Sequence, residues 1–203
     1  MSTTNLREFS DSSSQLSPVE STSTTGAATT QLTLSDYDAQ NFSVTAADGV
    51  VLYVVYTAQD EAFPSNPTYV SRPRRTSQPS NRTKLDIVAK LQYGDDGQGI
   101  VEYNGEMSSL QAFLPSKTWP RSRIMYTPHG EWKWTAKWSI GGYRPILYNS
   151  NRVAIVTCSR HPSLFKSNPP TLTIAMDAMQ YLDRIIIGYI VSLRDHKMLT
   201  EEY

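Results

Sequence analysis

The chain has 203 residues and a mass of 22.8 kDa, with 19 Lys plus Arg against 19 Asp plus Glu, three His and one Cys. That length accommodates one domain of ordinary size, or a smaller domain with a tail. Zero net charge argues against a DNA-coating role, one cysteine excludes a disulfide framework and a Cys-rich zinc site, and three scattered histidines argue against a His-built metal centre. With 39% hydrophobic residues the chain can still pack a core.

Residues 1–35 contain seventeen Ser or Thr and one aromatic residue, Phe9. Such a composition cannot offset about 1–2 kcal/mol of backbone entropy per ordered residue, so residues 1–31 are expected to be a disordered, acidic Ser/Thr-rich tail. The tail has no apolar run of signal-peptide type, which makes the expected location cytoplasmic. Residues 32–203 then read as one domain of short β-runs separated by turn residues. The run at 50–56 follows an Asp48-Gly49 turn and is strongly apolar. Further strands are expected at 68–72, 84–93, 99–103, 121–126, 131–138, 145–148, 152–158 and 171–175. Regular spacing with almost no helical periodicity before residue 176 argues for an antiparallel barrel or sandwich. Asp95 and Asp96, between glycines, read as a hairpin turn and not as a cation site.

The last segment departs from this pattern. Asp177 is expected to cap a helix over about 178–197, with apolar residues at 178, 182, 185, 186, 189, 190 and 193 and more filling the opposite side. A helix apolar nearly all round is either buried in protein or spans a membrane. A span needs about 20 apolar residues, and Asp183 with Arg184 interrupts the run. The helix is therefore expected as the buried centre of the domain, with no transmembrane segment.

Strands followed by one apolar C-terminal helix, together with Glu131, Trp132, Lys133 and Trp134, then 146–148, 153–155, 172–174 and 182–186, resemble a family of fungal domains of unknown function widespread in mushroom-forming basidiomycetes. That family is similar in design to the tubby C-terminal and LURP-one-related domains. The resemblance covers about residues 32–199. It implies a mainly β fold, an antiparallel β-barrel enclosing one C-terminal hydrophobic helix. The tubby relatives imply phosphoinositide binding, but their basic lipid-binding positions do not map onto this chain, so no site residue is carried over.

For chemistry, Cys158 and His161, three residues apart, invite a nucleophile-and-base reading, and a Cys/His hydrolase would need them within hydrogen-bond reach. Cys158 closes an apolar run and reads as a small buried hydrophobe. His129 and His196 read as solvated. No phosphate loop, nucleophile elbow or HExxH motif occurs, so the chain is expected to be a non-enzyme without a cofactor or metal. Trp132, Trp134 and Trp138 share one face of a strand and read as packing on the central helix, with Lys133 and Lys137 facing outward.

Charge is distributed unevenly: residues 1–61 carry net −7, residues 62–85 net +5 and residues 107–176 net +8. If the loop between the strands at 121–126 and 131–138 holds an odd number of residues, Arg121, Arg123, Lys133 and Lys137 line the outer face together. That register is favoured because an even loop would bury the arginines against tryptophan. The Pro-rich stretch with Arg72, Arg74, Arg75 and Lys84 forms a second basic group, and Arg74 and Arg75 precede Ser77 as a basophilic kinase requires. The expected function is a non-catalytic, monomeric binding module for anionic phospholipid or phosphoinositide, peripheral at the inner face of a membrane. The alternative is a protein-interaction or scaffold domain meeting an acidic partner. Nucleic acid is not an expected partner.

Overall fold

Alternation of apolar side chains decides which face of each strand is covered. In Val51–Thr57, Tyr53 and Val55 are buried while Leu52, Val54 and Tyr56 are half-buried on the other face. The computed structural model describes residues 28–36, 38–58, 66–74, 84–94, 98–117, 122–139, 142–159 and 169–201, with the side chains of 136–139, 142 and 197–201 outside that description. The strands are β1 (Thr29–Leu34), β2 (Phe42–Thr45), β3 (Val51–Thr57), β4 (Thr68–Pro73), β5 (Leu85–Tyr93), β6 (Gly99–Tyr103) and β7 (Glu106–Ser109). A single helical turn, α1 (Leu110–Phe113), leads to β8 (Ser116–Lys117), β9 (Ser122–Thr127), β10 (Gly130–Ser139), β11 (Gly142–Tyr148), β12 (Ala154–Ser159) and β13 (Thr171–Ala175). A 3-10 segment, Met176–Tyr181, then feeds α2 (Leu182–Glu201).

Among the described residues, all thirteen strands belong to one antiparallel sheet, ordered β7-β6-β5-β4-β3-β2-β1-β13-β12-β11-β10-β9-β8. Each half is a meander of consecutive strands. The halves are joined by β1 against β13, where Leu32 faces Leu172. Among the described residues no ladder joins β7 to β8, so the expected closed barrel is, as described, an open sheet. The Asn104–Gly105 pair turns β6 into β7 with both residues at positive φ, the geometry that a two-residue hairpin loop favours.

The sheet wraps α2. Ile185, Ile186, Ile187, Tyr189, Ile190 and Val191 are each 0–1% exposed. Side chains from most of the sheet reach this helix: Phe42 of β2 sits edge-on to Tyr189 at 6.1 Å between ring centroids, and Arg194 lies 3.8 Å above the Tyr93 ring of β5. Tyr143 of β11 donates its hydroxyl to the Ser192 carbonyl at 3.0 Å. Trp134 of β10 lies against Gly188, where an added Cβ would overlap its Nε1 and come within 3.0 Å of two further ring atoms. Glycine is therefore what lets the indole reach the helix backbone.

The nine expected strands correspond to β3, β4, β5, β6, β9, β10, β11, β12 and β13, the largest shift being at the start of β11. The sequence reading did not find β1, β2, β7, α1 or β8. The first strand begins at Thr29, inside the segment read as tail, while residues 1–27 lie outside the described residues. Asp177 is not the cap expected of it: the cap of the 3-10 segment is Ala175, with no side-chain hydrogen bond, and Asp177 sits in the first turn. A carboxylate there still favours the helix dipole. The Asp95-Asp96 turn lies outside the described residues.

Two outcomes follow from this packing. Gly188→Ala should lower the urea midpoint by an amount equivalent to about 1–3 kcal/mol, with little change in the denaturant slope. His196 stacks on Tyr143 at 3.9 Å, and burial holds its pKa below the usual histidine value. The unfolded chain then binds the extra proton more readily, so this contribution is intact above the unfolded pKa of about 6.5 and is lost as pH falls below it. A urea titration series from pH 7.5 to 5 should show that decline, and His196→Gln should make it shallower.

Candidate functional site

The β9–β10 hairpin sets which basic residues face solvent. Thr127 pairs with Gly130, so the loop is the two residues Pro128 and His129, an even number. Arg123 therefore lies across from Trp134 and Met125 from Trp132 on the helix side, while Ile124 lies across from Lys133 on the outer face. The expected odd register is corrected, and with it the outward placement of Arg123. What makes burial of Arg123 tolerable is α2. Its Nε and Nη2 donate to the two carboxylate oxygens of Asp195 at 2.7 and 2.9 Å, and its Nη1 donates to the Leu114 carbonyl at 3.1 Å. Arg123 and Asp195 are each 8% exposed.

Two members of the second basic group are also committed. Arg72 reaches Asp183 at the start of α2, and its Nη2 donates to the Tyr53 hydroxyl at 3.0 Å. Tyr53 in turn donates to Asp183. Burial, reinforced by that hydrogen bond to the carboxylate, pushes the Tyr53 hydroxyl well above the ordinary tyrosine range. Arg74 pairs with Asp86 at 2.7 Å on the surface. Lys84 is exposed, its carbonyl accepting from the Arg74 amide. Arg75, Ser77, Arg121 and the side chain of Lys137 lie outside the described residues.

Lys133 is exposed and belongs to a different arrangement, a cleft of about 650 Å³ on the outer face of the sheet. Ile124 forms part of its lining and is only 2% exposed although it points away from the core. Lys133 and Tyr148 are direct cross-strand neighbours in that lining. Lys117 enters from β8 and lies 3.3 Å from Glu131. The remaining lining is the β11–β12 turn, with Asn149, Ser150 and Arg152.

That turn is tightly specified. The Asn149 side-chain oxygen accepts from the Asn151 and Val153 amides at 3.0 and 2.9 Å, and the Arg152 amide donates to the Asn149 carbonyl at 2.9 Å. These bonds hold Arg152 in the left-handed region at φ 61°, where a side chain costs energy that the surrounding turn must offset. The Ser150 hydroxyl donates to the His129 carbonyl at 3.2 Å, fastening the tips of two hairpins together. Gly130, at φ 106°, sits under that contact, where a Cβ would press on Ser150 Oγ at 3.2 Å.

Among the described residues, Lys133 and Arg152 have no ion-pair partner, whereas Arg72, Arg74 and Arg123 each face a carboxylate. The cleft thus gathers three bases against Glu131, with the hydroxyl and amide groups of Tyr148, Ser150 and Asn149 beside them. Sequence reasoning found Lys133. It missed Lys117 and Arg152, although the latter follows a run of turn residues, Asn149 to Asn151, between two strands.

Elsewhere, Cys158 is buried on the helix side of β12, its sulfur 3.9 Å from the Tyr189 hydroxyl, and His161 lies outside the described residues. Trp132 and Trp134 are 5% and 1% exposed and pack inward. The side chain of Trp138 is outside the described residues. Among the described residues, no helix is long and apolar enough to cross a membrane, and no three His, Cys, Asp or Glu side chains gather as a metal site would need.

The buried pair makes a direct prediction. Arg123→Gln or Asp195→Asn alone leaves a charge without its partner and should cost about 3–5 kcal/mol in urea unfolding, whereas replacing both by apolar residues of similar size should recover most of it.

Nothing among the curated proteins matches the chain. Among solved structures, the X-ray structure of a protein from Arabidopsis thaliana aligns over 81% of this chain and 91% of its own, at 12% identity and a TM-score of 0.42. The model of a family of unknown function, DUF6593, matches residues 37–198, a stretch that contains β2 through most of α2 and every residue of the cleft. The chain belongs to the DUF6593 family of unknown function.

Proposed function

We propose that the protein is a non-catalytic binding module that takes the anionic headgroups of phospholipids in the outer-face cleft. The observation that carries this reading is the contrast among its cations. Among the described residues, Lys133 and Arg152 are exposed and without an ion-pair partner at a concave site, while Arg72, Arg74 and Arg123, three of the arginines expected to serve as a surface, face carboxylates. Unmatched bases on a concave surface attract phosphate, and each is worth about 1 kcal/mol next to an anionic membrane.

Apolar side chains beside the cleft support a membrane as the source of the phosphate. Val153, directly after Arg152, is 40% exposed, and Tyr126, across the ladder from Glu131, is 49% exposed. Apolar tips flanking a basic cleft can enter the headgroup region while the bases hold phosphates. The cleft lies on the outside of the sheet and leaves the wrap around α2 undisturbed. We read that wrap as the barrel which the sequence resemblance implies, and the binding reading does not depend on its closure.

The test is co-sedimentation of the full chain with vesicles of phosphatidylcholine alone, with phosphatidylserine, and with phosphoinositide. Lys133→Gln combined with Arg152→Gly should weaken binding to anionic vesicles by about 30-fold, from about 1 kcal/mol for each of the two bases lost. Glycine suits the positive φ at 152, so thermal stability should hold. Equal binding by the variant, or no binding to any vesicle at low salt, would remove the lipid reading and favour an acidic protein partner.

A further inference from the structure

The topology brings the start of the described chain to the same rim as the cleft. The Ala28 carbonyl accepts from the Met176 amide at 2.9 Å, and Thr29 pairs with Ala175. Val156 pairs with Ile174 and Ala154 with Tyr148. The beginning of β1, the end of β13, the beginning of β12 and the end of β11 therefore share one rim, the one that carries the Asn149–Val153 turn. From β1 to β11 is three strand spacings, about 14 Å.

What precedes Ala28 is complementary to the cleft in charge. Residues 1–27 hold Glu8, Asp11 and Glu20 against Arg7, and thirteen of them are Ser or Thr. Glu20 is eight residues before Ala28, a length that spans at most about 26–29 Å. That exceeds the distance to β11 and reaches β10, where Lys133 stands. A ligand tethered so closely acts at an effective concentration that reaches the millimolar range, so weak charge pairing is enough to occupy the site.

We infer that the acidic stretch from Glu8 to Glu20 docks in cis on the cleft at Lys133 and Arg152 and competes there with an outside anion. The inference rests on reading the cleft as an anion site. Phosphorylation of serines within the stretch, such as Ser12, Ser13, Ser14 or Ser17, would add about 1.5 to 2 negative charges each and tighten the contact. The N-terminal segment is then a regulator of the cleft.

The test uses the full chain carrying Ser17→Cys with a nitroxide label, the native Cys158 being buried. Paramagnetic broadening of backbone amides should concentrate at Lys133, Ser150 and Arg152 in low salt. It should fade near 0.5 M salt, where screening extends over only about 4 Å. It should also fade when Glu8→Gln, Asp11→Asn and Glu20→Gln are combined. Broadening that is absent from the cleft, or spread evenly over the sheet, overturns the inference.

Vesicle binding separates this result from the preceding one. With the acids neutralised, affinity for phosphatidylserine vesicles should rise by about three- to tenfold as the cleft is freed. Broadening at the cleft with no vesicle binding by any variant upholds the cis contact and removes the lipid reading. Vesicle binding that is the same with and without the acids, and no broadening at the cleft, removes the cis contact alone.

Discussion

Ile185 to Val191 leave α2 without a polar stripe, and a helix of that kind cannot rest on one face of a flat sheet, because its far side would still meet water. The rest of the architecture answers that constraint. A long antiparallel sheet supplies inward side chains from β2 round to β12, and the pairing of β1 with β13 joins the two meanders into one wrap. Gly188 removes a side chain where Trp134 must come closest. Two carboxylates, Asp183 and Asp195, then fix the helix along its axis against Arg72 and Arg123. They are twelve residues apart, about 18 Å of helix, and the strands they meet lie in opposite halves of the sheet.

Seen this way, the distribution of basic residues is an allocation between holding the helix and facing solvent. Arg123 serves the interior because a bidentate carboxylate is aimed at it. Its neighbour in sequence, Ile124, is apolar on the outer face and yet buried, since the stems of the long side chains around the cleft can cover it. The usual inside-outside alternation is thus locally inverted on β9, with a charge inside and an isoleucine outside. That inversion is what leaves an apolar-lined depression on the surface with bases at its margin.

Much of the framework could be read from the chain because its signals are local. Apolar alternation and turn residues marked nine strands, and the dense apolar run marked the buried helix. The elements missed are those with little local signal: β1 offers only Leu32 and Leu34 within a Thr-rich stretch, β7 is four residues that include two serines, and α1 is a single turn. The cleft was half legible. Lys133 follows from its place between tryptophans, but the register of the β9–β10 hairpin depended on Asp195, 72 residues from Arg123. No spacing rule reports a partner that distant. Lys117 and Arg152 become neighbours of Lys133 only once β8 and the β11–β12 turn are laid beside β10.

The position of α2 after every strand also bears on the order of events during synthesis. The thirteen described strands leave the ribosome before the helix that their apolar faces cover, and β1 must wait for β13, some 140 residues later, before it has a partner on that side. Contacts so distant in sequence make for slow folding, and unpaired strands with exposed apolar faces are prone to associate with other chains. The nascent sheet is therefore an open, adhesive surface until its last element arrives. A chaperone that shields extended apolar strands would have its longest window of use here, and that window closes when α2 docks.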